Sequence, residues 1–85
     1  MTLAFRVEFS ELAAKKFRAF DGPVRDRIAA KLRTMAEDPG RHVTKLRSVE
    51  AYKLRVGDYR VIVDVDWAAK TLFVLTLGHR STVYR

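Results

Sequence analysis

The dipeptide Gly57-Asp58 constrains this chain more than any other feature, because of what flanks it. Before it, Tyr52, Leu54 and Val56 alternate with Lys53 and Arg55; after it, the apolar alternation resumes at Tyr59, Val61, Val63 and Val65. Period-two patterning on both sides of a Gly-Asp pair predicts two antiparallel strands joined by a two-residue turn. The turn fixes a register in which Val56 opposes Tyr59, Arg55 opposes Arg60, Leu54 opposes Val61 and Lys53 opposes Ile62. Directly opposed residues share a face of the sheet. One face of the ribbon is therefore apolar, while the other gathers Lys53, Arg55 and Arg60. Like charges opposed on a sheet destabilise it by tenths of a kcal/mol. Such a cluster implies a polyanionic ligand that offsets the repulsion, or else long side chains splayed into solvent.

The rest of the chain supplies a frame for this ribbon. Leu3, Phe5, Val7 and Phe9 alternate with Ala4, Arg6 and Glu8 and predict a first strand. Ser10 stands where a helix N-cap belongs, and Ala13, Phe17 and Phe20 form one stripe of the helix that follows, with Lys15, Lys16 and Arg18 turned away from it. Asp21-Gly22-Pro23 breaks that helix and opens a second, in which Val24, Ile28, Leu32 and Met35 recur at helical spacing up to Asp38-Pro39-Gly40. The basic residues of this second helix, Arg25, Arg27, Lys31 and Arg33, are interspersed with Asp26 and read as a solvated face. Residues 41–51 lack a sustained period and are expected to form a surface loop carrying Arg41, Lys45 and Arg47, with His42 a surface residue. Thr71 to Leu77 is a nearly unbroken apolar run, expected to be a central strand covered on both faces, with Phe73 in the core and Trp67 packing the preceding turn. The fold class is α+β: an N-terminal strand, a helical hairpin, then a three-stranded antiparallel meander. The two helices pack on one face of a four-stranded antiparallel sheet, and residues 1–85 form a single domain.

Composition narrows the partners. The net charge of +7 over 85 residues points to an acidic ligand, of which nucleic acid is the commonest. Residues 1–40 hold eight Lys or Arg against six Asp or Glu, whereas residues 41–85 hold nine against four, so the excess falls on the sheet half. With no cysteine and two isolated histidines, neither a disulfide framework nor a metal site is expected, and no cofactor is implied. No apolar run approaches the roughly 20 residues of a membrane span, and a cytoplasmic location is the expectation.

The segments Lys45-Leu46-Arg47, Tyr52-Lys53-Leu54-Arg55-Val56-Gly57-Asp58-Tyr59-Arg60, Gly78-His79-Arg80 and Val83-Tyr84-Arg85, in this element order, resemble the RelE branch of the RelE/ParE toxin superfamily over essentially the whole chain. The resemblance implies a type II toxin that enters the ribosomal A site and cuts messenger RNA there. It is held inactive by a cognate antitoxin, RelB-like, acidic and partly disordered. Carried over by position, the implied catalytic residues are Lys53, Arg55, Arg60, Arg80 and Tyr84. Lys45, Arg47, His79 and Arg85 are expected to contact RNA. The three cations that the hairpin register brings together are among the five, although the register uses nothing from the family.

Metal-free RNA cleavage by the 2′-hydroxyl needs a proton acceptor, positive charge on the pentavalent phosphorane and an acid for the departing 5′-oxygen. Arg60 and Arg80 suit the charge, because guanidinium grips phosphate bidentately. Lys53 and Tyr84 are the two candidates for proton transfer. Two other readings stay open: a ParE-type gyrase inhibitor on the same fold, and a non-catalytic nucleic-acid-binding module. Whether Arg80 reaches the charged face depends on the turn at residues 66–71, since a one-residue change reverses every later side chain.

Overall fold

Strand β1, Arg6–Phe9, forms where the N-terminal alternation predicts it, with Arg6 and Glu8 exposed and Val7 and Phe9 turned toward the core. The chain is described from a computed structural model over residues 4–41, 43–45 and 51–83, so Leu3 lies outside the described residues. Helix α1, Glu11–Ala19, starts at Ser10, whose hydroxyl accepts the Ala13 N–H at 3.0 Å and donates to the Leu75 carbonyl at 2.8 Å. One side chain thus caps the helix, a service worth about 1 kcal/mol, and ties it to the last strand. Helix α2, Gly22–Glu37, is capped in the same way by Asp21, whose carboxylate accepts the Val24 N–H at 3.1 Å. Ile28, Leu32 and Met35 on α2 are buried against the sheet. The helix ends before a short 3₁₀ turn at Pro39–Arg41.

Four further strands follow: β2 (Val43–Lys45), β3 (Tyr52–Val56), β4 (Tyr59–Asp66) and β5 (Thr71–His79). Their order in the sheet is β1-β5-β4-β3-β2. Two expectations are corrected here. The sheet has five strands among the described residues rather than four, because Val43–Lys45 pairs antiparallel with Tyr52–Leu54 inside the segment expected to be a loop. It is also mixed rather than wholly antiparallel, since β1 runs parallel to β5 with Val7 beside Leu72 and Phe9 beside Val74. That register places Val7, Phe9, Leu72 and Val74 together on the helix side.

The β3–β4 hairpin has the predicted register, including Arg55 opposite Arg60 and Lys53 opposite Ile62. Gly57 has φ +57° and Asp58 does not share it, the pattern of a type II′ turn with glycine at its first central position. The last strand settles the register that the sequence left open. Trp67 to Lys70 form the turn, pinned by the Ala69 N–H donating to the Asp66 carboxylate at 2.9 Å. Asp66 then pairs with Thr71 and Val63 with Val74, but Ile62 pairs with Thr76, so Leu75 is one residue too many. This β-bulge lets Leu72, Val74 and Leu77 all enter the core, each 0% exposed. It also places Gly78 opposite Arg60 on the outward face. Phe73, expected in the core, is exposed instead, because the outward face of β5 carries no helix. Trp67 does pack its turn, meeting Phe5 edge to face at 5.7 Å.

Candidate nucleic-acid interface

With the helices on one side, the other face of the sheet is left to its outward side chains. At the hairpin end these are Lys53 and Arg55 from β3 and Arg60 from β4. Together with Thr44 from β2 they line an open cleft of about 270 Å³ to which no acidic side chain contributes among the described residues. The Arg60 guanidinium is not loose in this cleft. One of its nitrogens, Nη1, donates to the Gly57 and Tyr59 carbonyls at 2.8 Å each, which folds the side chain toward the turn. Its remaining N–H groups have no hydrogen-bond partner among the described residues, and a guanidinium held in this way loses less freedom on binding an anion. Ile62, between Lys53 and Thr76 across the strands, is the covered apolar floor of this face, at 8% exposed and outside the main core.

Arg80 stands at the same end. Its N–H donates to the Asp58 carbonyl at 2.8 Å, and its Nε lies 3.9 Å from the Asp58 carboxylate. Both side chains are largely exposed, so this ion pair positions Arg80 beside the turn and adds little stability. Beyond it the chain reverses, with the Thr82 and Val83 N–H groups donating to the His79 carbonyl at 2.9 and 3.0 Å. A Cβ built on Gly78 would lie 3.6 Å from Val83 Cβ. Since Gly78 opposes Arg60, the reversal carries Val83, the last described residue, onto the cationic face.

The remaining expected residues divide. His79 pairs with Tyr59 in the ladder and therefore sits on the helix side, away from Arg60; its ring meets Tyr59 edge to face at 5.6 Å, and Tyr59 in turn meets Phe20 at 5.3 Å. The Ser81 N–H donates to His79 Nδ1 at 3.2 Å. Lys45 is the β2 residue paired with Tyr52. Arg47, Tyr84 and Arg85 lie outside the described residues, as does His42.

Two residues join this face that the sequence did not single out. Thr44 lines the cleft, having been hidden in a segment without period. Lys16, on the polar side of α1, reaches past the end of β1 to place its ammonium 3.2 Å from Thr76 Oγ1. The far end of the same face is different in kind. Glu8, Asp64 and Asp66 gather there with Arg6, around the exposed ring of Phe73.

This fold is shared with known proteins. The family described as the ParE toxin of type II toxin-antitoxin systems, parDE, matches residues 7–84. The chain belongs to that toxin family. It is 33% identical over 87 residues to the mRNA interferase toxin RelE of Escherichia coli K12, with 96% of this chain and 92% of the relative covered. The toxin fold recurs in the intact E. coli RelBE toxin-antitoxin complex, at TM-score 0.76 and 31% identity over 89% of this chain and 96% of that one. It recurs again in the RelBE2 complex of Mycobacterium tuberculosis, at TM-score 0.86 and 19% identity over 95% and 97% of the two chains, a likeness of fold alone. No helix among the described residues of this toxin-family chain is long and apolar enough to cross a membrane.

Proposed function

We propose that this chain is an mRNA interferase: a ribosome-dependent endoribonuclease that cuts messenger RNA in the A site and is neutralised by a cognate antitoxin. The convergence of Lys53, Arg55 and Arg60 on one cleft, with no acid among its described lining residues, carries this reading. The kinship to a protein named mRNA interferase toxin RelE and the likeness to toxins solved with RelB partners support it. In the cleft, Arg60 holds the scissile phosphate and the charge that grows on its non-bridging oxygens, with Arg80 approaching from the turn. The RNA 2′-oxygen attacks phosphorus as its proton passes to a base, the bond to the 5′-oxygen breaks, and that oxygen takes a proton from an acid. The products are a 2′,3′-cyclic phosphate and a 5′-hydroxyl. Lys53 and Tyr84 are the residues proposed for these two transfers, and the chemistry draws on no cofactor. Arg55 and Lys45 hold the flanking backbone, joined by Arg47 and Arg85, whereas His79 faces the helix side, away from this cleft. The site of action is the cytoplasm, and the antitoxin covers the cationic face with an acidic, partly disordered segment.

A ParE-type gyrase inhibitor is the second reading, favoured by the family to which residues 7–84 match. Inducing the toxin and mapping messenger 5′ ends on translating ribosomes separates the two. Codon-phased cuts that disappear in Arg80→Ala/Tyr84→Phe support the interferase. Growth arrest with blocked gyrase and intact messenger refutes it.

A further inference from the structure

We infer that a second groove, between α2 and the hairpin end of β3, binds the sugar-phosphate backbone of RNA as it passes Arg55. The groove has a volume of about 380 Å³ and is lined from α2 by Arg27, Ala30, Lys31 and Thr34, and from the hairpin by Arg55 and Gly57. Arg27, Lys31 and Thr34 follow one another at helical spacing, so a single face of α2 carries them. Among the described residues the β2 ladder ends at the Val43–Leu54 pair, and the hairpin end of β3 borders the groove. Arg27 Nη2 lies against Gly57, in the space a Cβ there would need, and only glycine admits the guanidinium so closely.

Three observations point to a nucleic-acid backbone. Among the described residues the lining holds three cations and a hydroxyl but no carboxylate. Arg55 lines both this groove and the outward cleft, so one chain of phosphates can run from one to the other around the end of β3. The apolar lining consists of small side chains, Ala30 and Val56, and offers no pocket for the aromatic or aliphatic anchors by which peptides are usually held. The ribonuclease reading enters only in the choice of RNA as the polyanion.

The test compares the full-length toxin with Arg27→Gln/Lys31→Gln, matched in melting temperature. The probes are a cleavage-resistant 2′-O-methyl oligouridylate of about 12 nucleotides and vacant ribosomes, and binding is followed as salt rises. Each single-strand phosphate contact contributes about 0.7 to the slope of log affinity against log salt, so losing two flattens the slope by about 1.4. Between about 50 and 200 mM salt, the wild type should then lose roughly sevenfold more affinity than the variant. Flattening with the oligonucleotide identifies the messenger strand as occupant; flattening with ribosomes alone identifies ribosomal RNA; either supports the groove. Unchanged slopes with both probes overturn it, as does a wild type that binds neither. Unchanged RNA slopes with weakened antitoxin binding assign the groove to a protein partner and likewise overturn it. Messenger cleavage by Arg60→Ala is scored in parallel. If that variant still cuts while the double variant loses slope, the cleavage site is wrong and the groove stands.

Discussion

The two ends of the outward sheet face share strands, side and solvent, yet carry opposite charge. Along β4 the outward residues run Arg60, Ile62, Asp64 and Asp66, and their neighbours follow suit, with Lys53 and Arg55 at one end and Glu8 at the other. Six residues of strand span about 20 Å, well beyond the roughly 8 Å over which charges act at physiological ionic strength. Asp66 therefore does not neutralise Arg60, and of the acids only Asp64, the diagonal neighbour of Lys53, borders the cationic end among the described residues. Each end keeps its own field, and a polyanion drawn to the hairpin end is turned away from the β1 end. Segregating charge in this way gives an approaching RNA a direction as well as an attraction.

The contrast can be broken at several strengths. The largest effect lies beneath it: Leu54→Ala, behind the cationic end and fully buried, should cost about 2–5 kcal/mol of unfolding free energy in urea titration. Phe73→Ala at the acidic end should cost far less, because that ring is already 39% exposed. Similar losses would mean that Phe73 is held by something other than its neighbours in the sheet. Next comes chemistry. Arg60→Ala should slow messenger cleavage about 10²- to 10³-fold, the usual loss for one donor to a developing anion, whereas Asp64→Ala should leave the rate within a factor of two or so. Equal losses would show that the ends do not act separately. A smaller change is expected from Asp64→Lys/Asp66→Lys, which extends the cationic field along β4; its RNA affinity should fall more steeply with salt, by up to about 1.4 in slope. A slope that stays put would deny the acids any role as a boundary. Smallest is Asp58→Ala, which removes an exposed partner of Arg80 and should shift stability by less than about 0.5 kcal/mol. A large loss of cleavage in this variant would show that Asp58 positions Arg80.

The legible parts of this molecule are those where period and turn chemistry agree. Alternation around Gly57-Asp58 was enough to pair every residue of β3 with its β4 partner, and hence to assemble Lys53, Arg55 and Arg60. The helices were announced by Ser10 and Asp21 and by apolar spacing. What escaped had no local signature. Val43–Lys45 is too short for a period to register, and β1 joins β5 through tertiary packing that no residue of Arg6–Phe9 encodes. The cations of α2 read as a solvated face because Asp26 sits among them, and only the approach of Arg27 to Gly57 reveals the groove that Arg27 shares with Lys31. An unbroken apolar run cannot announce which of its residues is surplus, so Leu75 and the exposure of Phe73 were both invisible.

That surplus residue changes how the strand must be counted. Up to Val74, odd-numbered side chains of β5 point outward; from Thr76 onward, the even-numbered ones do. A mutational scan that extrapolated the alternation from Thr71 would choose Leu77 and His79 to perturb RNA and would strike the core and the helix side instead. Deleting Leu75 would, by the same arithmetic, leave Gly78 opposite Arg60. Two homologous toxins that differ by one residue in this strand can thus place the same arginine beside the same turn, and an alignment without a gap there would pair the wrong residues.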